Sequence, residues 1–119
     1  MSRIVESIAR ARNLRLVARG RKSGQPREVT IWFAVDGEDL VVGTLDERRN
    51  WVRNARANPD VEIEAAGVRL RGRFEDVSDA GLAERARAAL AAKYLTARIA
   101  GWFGVRQKHL FAIRGLRAA

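Results

Sequence analysis

Cysteine is absent from this sequence of 119 residues, and histidine occurs once, at His109. The missing cysteine excludes disulfides, thiolate metal sites and cysteine nucleophiles, and a single histidine argues against a histidine-ligated metal. The four serines have only His109 as an imidazole partner, so a catalytic triad has no basis. The sequence also contains no Walker-type phosphate loop and no Gly-x-Gly-x-x-Gly motif. If the protein is an enzyme, its chemistry is expected to come from a bound cofactor.

Long apolar runs are absent as well. No stretch of about 18 apolar residues occurs. Residues 1–12 mix charged and apolar side chains too closely for the apolar core of a signal peptide. We therefore expect no membrane span and a cytoplasmic protein. The length suits one domain over residues 1–119, and 47% hydrophobic residues can form a core that a disordered basic chain lacks.

Positive charge is what the sequence has in excess. Lys and Arg number 23 against 14 Asp and Glu, which gives a formal net charge of +9. Residues 1–27 hold eight basic side chains and one acidic side chain, so the excess lies in the first quarter of the chain. This predicts an anionic partner, either a nucleic acid or a small anionic ligand. Nucleic acid is the less favoured of the two, because aromatic residues make up only 7% and do not alternate with the basic residues.

Hydrophobic periodicity predicts the element order α-β-β-β-α-β-β-α-β. The predicted helices cover residues 3–12, 46–58 and 79–100, and the predicted strands cover 14–19, 29–35, 40–45, 61–65, 68–77 and 109–116. The 46–58 helix would be opened by Asp46 or by the Thr44-x-x-Glu47 box, and Ser78 or Asp79 would cap the long helix. Six strands in so short a chain favour a closed or nearly closed β-barrel with helices across its openings.

Two predicted hairpins define which side chains face each other. A turn at Gly37-Glu38 places Val35 opposite Leu40 and Trp32 opposite Gly43. The Trp32 indole would then either pack over the glycine or leave room for a flat ligand. A turn at residues 66–67 places three acidic residues opposite three arginines: Asp60 and Arg73, Glu62 and Arg71, Glu64 and Arg69. These arginines are therefore expected to pair with acids rather than to bind a ligand.

The main candidate binding site is the segment Gly20-Arg21-Lys22-Ser23-Gly24-Gln25-Pro26-Arg27. Two glycines and a proline predict a loop. Three cations, a hydroxyl and a glycine that lets backbone N–H groups approach suit a phosphate or a carboxylate. The alternative is a solvated basic turn. A second candidate is the 44–54 region, where a strand end leads into a helix N-terminus near Arg48 and Arg49, although these arginines are otherwise ordinary surface residues.

Four features follow one another along the chain: the 20–27 segment, Trp32-Phe33, Asp36-Gly37 and the run Trp51-x-x-Asn54-x-x-x-Asn58-Pro59-Asp60-Val61. Together they resemble the deazaflavin-dependent nitroreductase family over about residues 14–77. That family belongs to the pyridoxamine phosphate oxidase-like split-barrel flavin-binding group. The resemblance implies a mainly β fold, a six-stranded split β-barrel. It also implies an oxidoreductase in which bound reduced deazaflavin F-420 passes hydride to an electron-poor acceptor such as a quinone or a nitroaromatic. A homodimer with its two sites near the subunit interface is implied too.

The same resemblance implies site residues but names no catalytic one. Those that would bind the anionic tail of the cofactor are Arg21, Lys22, Ser23, Gly24 and Arg27, in a segment completed by Gln25 and Pro26. Ile31 and Trp32 would lie along the cofactor, Gly43, Thr44 and Leu45 would meet the ring edge, and Trp51 and Asn54 would close the helix side. The 43–49 run is also similar to FMN binders, which use basic residues such as Arg48 and Arg49 for the phosphate, so FMN is the alternative cofactor. A protein that only carries the cofactor would have the same site.

Overall fold

The computed structural model describes residues 3–44, 46–94 and 109–119, and antiparallel strands are their main secondary structure. The helices are α1 (Arg3–Glu6), α2 (Asn50–Ala57) and α3 (Ala80–Lys93). The strands are β1 (Leu14–Arg19), β2 (Pro26–Ile31), β3 (Ala34–Asp36), β4 (Asp39–Thr44), β5 (Asp60–Ala65), β6 (Val68–Asp76) and β7 (His109–Ala118). The helix predicted over 79–100 is found as far as Lys93, and its end beyond residue 94 lies outside the described residues.

The seven strands of the described residues form one sheet in the order β2-β1-β5-β6-β7-β4-β3. The prediction of six strands is wrong, because the segment predicted as one strand over 29–35 is divided between β2 and β3. These two strands lie at opposite edges of the sheet, yet only Trp32 and Phe33 separate them in the chain. The sheet must therefore curl until the two edges approach each other at this point. Ladder pairing among the described strands does not close it into a barrel, since β2 and β3 each have one neighbour.

The break between β2 and β3 is held by Tyr94, the residue that follows α3. The Phe33 N–H donates to the Tyr94 hydroxyl oxygen at 3.0 Å, and this oxygen lies 3.1 Å from the Phe33 carbonyl and 2.5 Å from the Arg12 carbonyl. The hydroxyl thus replaces the strand partner that Phe33 lacks. The expected facing of Trp32 and Gly43 is not formed, because β3 begins at Ala34 and the indole stacks on Tyr94 with the ring centroids 4.3 Å apart.

The structure confirms both predicted hairpin registers, except at Trp32 and Phe33, which lie between β2 and β3. Val35 faces Leu40, and the three predicted pairs of acids and arginines face each other between β5 and β6. Arg69 contacts Glu64 at 3.1 Å and Arg73 contacts Asp60 at 3.5 Å. The expectation that these arginines face acids is therefore confirmed.

The sheet separates two apolar clusters. The larger one packs α2 and Ile8 against inward-facing strand residues such as Phe33 and Phe111. The smaller one lies beneath α3, whose buried residues Leu82, Ala86 and Leu90 are four positions apart, and Tyr94 continues this spacing just after the helix. Of the two predicted caps for this helix, Asp79 is used, and its carboxylate accepts the Leu82 N–H at 2.7 Å.

Two helices are shorter than predicted. α1 ends at Glu6 rather than residue 12, and α2 begins at Asn50 rather than residue 46. The Asp46 carboxylate accepts the Arg48 N–H at 2.9 Å, which makes a local turn before the helix instead of a helix cap. The Arg48 side chain bonds the same carboxylate, and this hydrogen bond lowers the pKa of Asp46.

Gly72 on β6 has no room for a side chain. A Cβ there would lie 2.6 Å from the Ile113 Cγ2 atom and 3.1 Å from the Arg114 carbonyl oxygen. We therefore expect Gly72→Ala to lower the free energy of unfolding by about 1–3 kcal/mol in urea denaturation. The control is Arg71→Ala at the exposed neighbouring position, which is expected to have a much smaller effect. Equal stability of Gly72→Ala and wild type would contradict this packing.

Lys93 is half-buried, and its Nζ atom has no hydrogen-bond partner among the described residues. The ammonium lies 3.4 Å from the centroid of the Phe33 ring, and burial lowers the pKa of Lys93 to about 8. Between that value and the ordinary pKa of 10.5, Lys93 binds more protons in the unfolded chain than in the folded one, so its contribution to stability rises with pH across this window. Lys93→Met should remove this rise and stabilise the protein at pH 7. We expect a gain of about 1 kcal/mol, because solvent around the half-buried ammonium reduces the cost of its charge. Urea denaturation from pH 7 to 10.5 checks this, and an unchanged slope in the variant would contradict it.

Candidate functional site

A cleft of about 660 Å³ lies between the β1–β2 hairpin and α2. Its size falls within the range of small-molecule sites, about 300–1,000 Å³. The lining residues are Leu16, Ala18, Gly20, Arg21, Lys22, Ser23, Arg27, Glu28, Val29, Arg49, Asn50, Trp51 and Asn54. The cleft therefore joins the two segments that the sequence marks as candidates, the 20–27 segment and the region that leads into α2.

Residues 20–25, which we call the basic loop, form a turn that is closed by its own hydrogen bonds. The Gly20 N–H donates to the Gln25 carbonyl at 2.8 Å, and the Gly24 N–H donates to the Gly20 carbonyl at 2.9 Å. Gly24 has a φ of +72°, which a residue with a side chain rarely adopts. The Ser23 hydroxyl accepts the Gln25 N–H at 3.2 Å. The predicted loop is confirmed over residues 20–25, whereas Pro26 and Arg27 already belong to β2.

α2 forms the opposite wall and is anchored in the core. Its residues Val52 and Ala55 are fully buried. Trp51 meets the rings of Phe74 and Phe111 edge-on, with centroids 6.1 and 6.0 Å apart. With this packing, exposed Asn50 and buried Asn54 face the basic loop, where both accept hydrogen bonds from Arg21.

The cleft carries uncompensated positive charge. Within the part of the chain that the structure describes, Lys22, Arg27 and Arg49 take part in no ion pair. The one acidic lining residue, Glu28, contacts Arg15 at 3.5 Å. Apolar surface comes from the residues Leu16, Ala18, Val29 and Trp51. Such a cleft suits a ligand that has both an apolar ring and an anionic group.

Eight of the residues that the sequence singles out line this cleft: Gly20, Arg21, Lys22, Ser23, Arg27, Arg49, Trp51 and Asn54. Gly24, Gln25 and Pro26 belong to the turn and the strand that follows it but do not line the cleft. Arg48 also lies outside the lining and pairs with Asp46 at 3.0 Å.

The described residues that were predicted to lie along the cofactor or at its ring edge are not among those that line the cleft. Ile31 packs against the larger cluster, and Trp32 packs against the smaller one. Gly43 and Thr44 face Leu110 and His109 across β4 and β7, and the Thr44 hydroxyl donates to the Asp46 carbonyl. Leu45 lies outside the described residues.

Sequence reasoning missed the apolar wall of the cleft and the amide of Asn50. The missed lining residues are Leu16, Ala18, Glu28, Val29 and Asn50. In the β1–β2 ladder Leu16 faces Val29 and Ala18 faces Arg27, so these four side chains share one face. Pairing the two strands around the predicted loop would have revealed this face.

The described ranges hold neither a candidate metal site nor a membrane-spanning helix. No group of three or more Asp, Glu or His side chains there is placed to hold a metal ion. No helix within residues 3–44, 46–94 and 109–119 has the length and apolar character needed to cross a membrane.

A sequence model of the F-420H(2)-dependent quinone reductase family matches residues 2–107. The chain belongs to this family. The resemblance to deazaflavin-dependent reductases is therefore confirmed, and the protein is an oxidoreductase of a family that uses reduced F-420. The unpaired cations and apolar wall of the cleft fit such a cofactor, which has a flat ring and an anionic tail. Among curated protein sequences, none matches this one.

Solved structures share the fold of this family member at low sequence identity. An F-420H(2)-dependent reductase has a TM-score of 0.69 at 15% identity, over 87% of this chain and 94% of its own. A Listeria innocua protein named for pyridoxamine 5′-phosphate oxidase has a TM-score of 0.70 at 14% identity, over 97% and 94% of the two chains. A Mesorhizobium loti FAD-binding protein has a TM-score of 0.69 at 20% identity, over 98% and 92%. The predicted likeness to pyridoxamine phosphate oxidase-like proteins is confirmed at the level of the fold.

Proposed function

We propose that this protein uses F-420H(2) to reduce a small electron-poor acceptor, with quinones as the acceptor class, and that the cleft between the basic loop and α2 binds the cofactor. The observation that carries the proposal is the group of three unpaired cations, Lys22, Arg27 and Arg49, around an apolar wall. When bound, the reduced deazaflavin supplies a hydride. A quinone that accepts this hydride and one proton becomes a hydroquinone.

The chain's own part in this reaction is to bind, orient and exclude water. Lys22 on the basic loop, Arg27 on β2 and Arg49 before α2 approach the cleft from three segments, so they can surround one anionic group. Charge-assisted hydrogen bonds of this kind are about twice as strong as neutral ones. We therefore assign the anionic tail of the cofactor to these residues, with Ser23 beside them.

The ring of the cofactor is placed along the inner face of β2. Arg27, Val29 and Ile31 alternate along this strand, and they face Ala18, Leu16 and Leu14 of β1. A cofactor with its tail at Arg27 would extend over Val29 towards Ile31, which is where the resemblance places it. The position of Trp32 along the cofactor and the contacts of Gly43, Thr44 and Leu45 with the ring edge stay predictions.

FMN is the competing cofactor, and Arg49 is the feature that favours it. The resemblance to FMN binders assigns the phosphate to both Arg48 and Arg49, but Arg48 is held by Asp46. Arg49 alone is left to meet an FMN phosphate from this side. We therefore expect F-420 to bind more tightly than FMN.

We further propose a homodimer in which the cleft adjoins the subunit interface. Supporting this, β2 borders the cleft and is an edge strand with one neighbour among the described strands. Its outer backbone groups are thus open to a second chain.

The test of the proposed function is anaerobic mixing of the protein with F-420H(2) and a water-soluble quinone, followed by the deazaflavin absorbance. We expect oxidation of F-420H(2) that depends on both protein and quinone. Binding without acceleration of this oxidation would show a cofactor carrier and overturn the enzymatic proposal. A matched assay with a nitroaromatic acceptor tests the acceptor class, and faster reduction of the nitroaromatic would contradict the assignment to quinones.

A further inference from the structure

The basic loop is attached to α2 chiefly through one residue pair, Arg21 and Asn54. The Asn54 Oδ1 atom accepts the Arg21 backbone N–H at 3.1 Å and the Arg21 Nη1 at 2.8 Å. The Arg21 Nη2 donates to the Asn50 Oδ1 at 3.3 Å. Both amide oxygens of this helix face thus receive hydrogen bonds from Arg21.

Asn54 is the least exposed polar side chain of this wall, at 6%. A buried amide oxygen that accepts two hydrogen bonds from one residue fixes both the backbone and the side chain of that residue. The adjacent Asn58 Nδ2 donates to the Arg19 carbonyl at 3.3 Å, so a second amide, at the end of the same helix, holds the chain just before the loop. Since α2 is anchored by fully buried Val52 and Ala55, it is a rigid support for the loop.

We propose that Asn54 is a positioning residue of the cofactor site and acts through Arg21. It holds the basic loop against α2, which keeps Lys22 and Arg27 across the cleft from Arg49. Arg21 in this role links the loop to the helix, whereas the unpaired cations hold the anion. This assignment rests on the proposed function and differs from the role implied by the resemblance, in which Arg21 and Asn54 both contact the cofactor.

The first measurement uses the cofactor-free protein and amide hydrogen exchange. In Asn54→Ala the Arg21 amide loses its acceptor, so exchange at Arg21, Gly24 and Gln25 is expected to become about tenfold faster. Asn54→Asp keeps an acceptor oxygen and should stay near the wild-type rate. The matched control Arg53→Lys, an exposed neighbour on α2, should leave these rates unchanged. Unchanged exchange in Asn54→Ala would overturn the positioning role.

The second measurement is F-420 affinity in a double-mutant cycle, followed by tryptophan fluorescence. We expect Asn54→Ala to raise the Kd about five- to tenfold, and to raise it much less when Arg21 is already alanine. Equal effects in both backgrounds would mean that Asn54 contacts the cofactor directly and would overturn the assignment. Faster exchange with an unchanged Kd would overturn it as well. Failure of wild-type protein to bind F-420 would instead overturn the proposed function, and this assignment with it.

Discussion

The double variant Lys22→Ala/Arg27→Ala is expected to bind F-420 at least about 100-fold more weakly than wild type. Both side chains line the cleft, and neither has an ion-pair partner in the described part of the chain. A charge-assisted hydrogen bond contributes about 1.5–3 kcal/mol, so removing two of them together raises the Kd by more than a factor of about 100. Tryptophan fluorescence reports the binding, because Trp51 is part of the same cleft.

The stability of this variant separates binding from folding. Lys22 and Arg27 are exposed, so their removal should change the free energy of unfolding by less than about 0.5 kcal/mol. Arg48→Ala is the control, because it removes one exposed positive charge that lies outside the cleft and pairs with Asp46. We expect less than a threefold change in its Kd. An equal loss of affinity in Arg48→Ala would indicate attraction by overall charge rather than a defined anion site.

Tyr94→Phe is expected to lower the free energy of unfolding by about 2–4 kcal/mol. The hydroxyl is the hydrogen-bond partner of the Phe33 N–H at the break between β2 and β3, and it also contacts the Arg12 and Phe33 carbonyls. The variant removes the acceptor of the buried Phe33 N–H and the donor to one of the two carbonyls, and a buried group left unpaired costs about 1–3 kcal/mol. Urea and thermal denaturation measure the effect, with an expected decrease in Tm of roughly 10 °C.

The control for this prediction is Ser7→Ala. Its hydroxyl also donates to a backbone carbonyl, that of Ile4 at 2.6 Å, but it is exposed, so water can replace the bond. We expect a loss below about 0.5 kcal/mol. If Tyr94→Phe were no more destabilising than Ser7→Ala, the hydroxyl would not be what stabilises the break in the strand.

Parts of the fold governed by neighbouring residues could be predicted from the sequence. The β5–β6 register follows from a two-residue turn and an alternation of acids opposite arginines, and any shift by one residue would bury these charges. The buried face of α3 follows in the same way from its spacing of four. In both cases the information lies in residues that are close together in the chain.

The split of the predicted 29–35 strand could not be predicted this way. Residues 29–35 have strong β propensity throughout, and nothing local marks Trp32 and Phe33 as a break. The interaction that stabilises the break comes from Tyr94, 61 residues away from Phe33 in the chain. Propensity was overridden by a tertiary contact, and the count of six strands was wrong for that reason.

The candidate site was predictable to a similar extent. The 20–27 segment carries its own signals in glycine, proline and charge, and five of its eight residues line the cleft. The different roles of the loop cations could not be predicted. Arg21 donates hydrogen bonds to the side-chain amides of α2, whereas Lys22 does not. Likewise, Arg48 and Arg49 are adjacent in sequence but differ in position. Arg48 hydrogen-bonds the Asp46 carboxylate outside the cleft, whereas Arg49 lines the cleft.

The most direct test of the proposed cofactor site is a titration of wild-type protein with F-420 and, separately, with FMN, at low and high salt. We predict saturable quenching of tryptophan fluorescence by F-420, with a Kd lower than that for FMN and rising with salt, because exposed cations are screened. No saturable change with either cofactor, together with salt-sensitive binding to duplex DNA, would contradict the proposed site. The positive charge of the first 27 residues would then serve a nucleic acid.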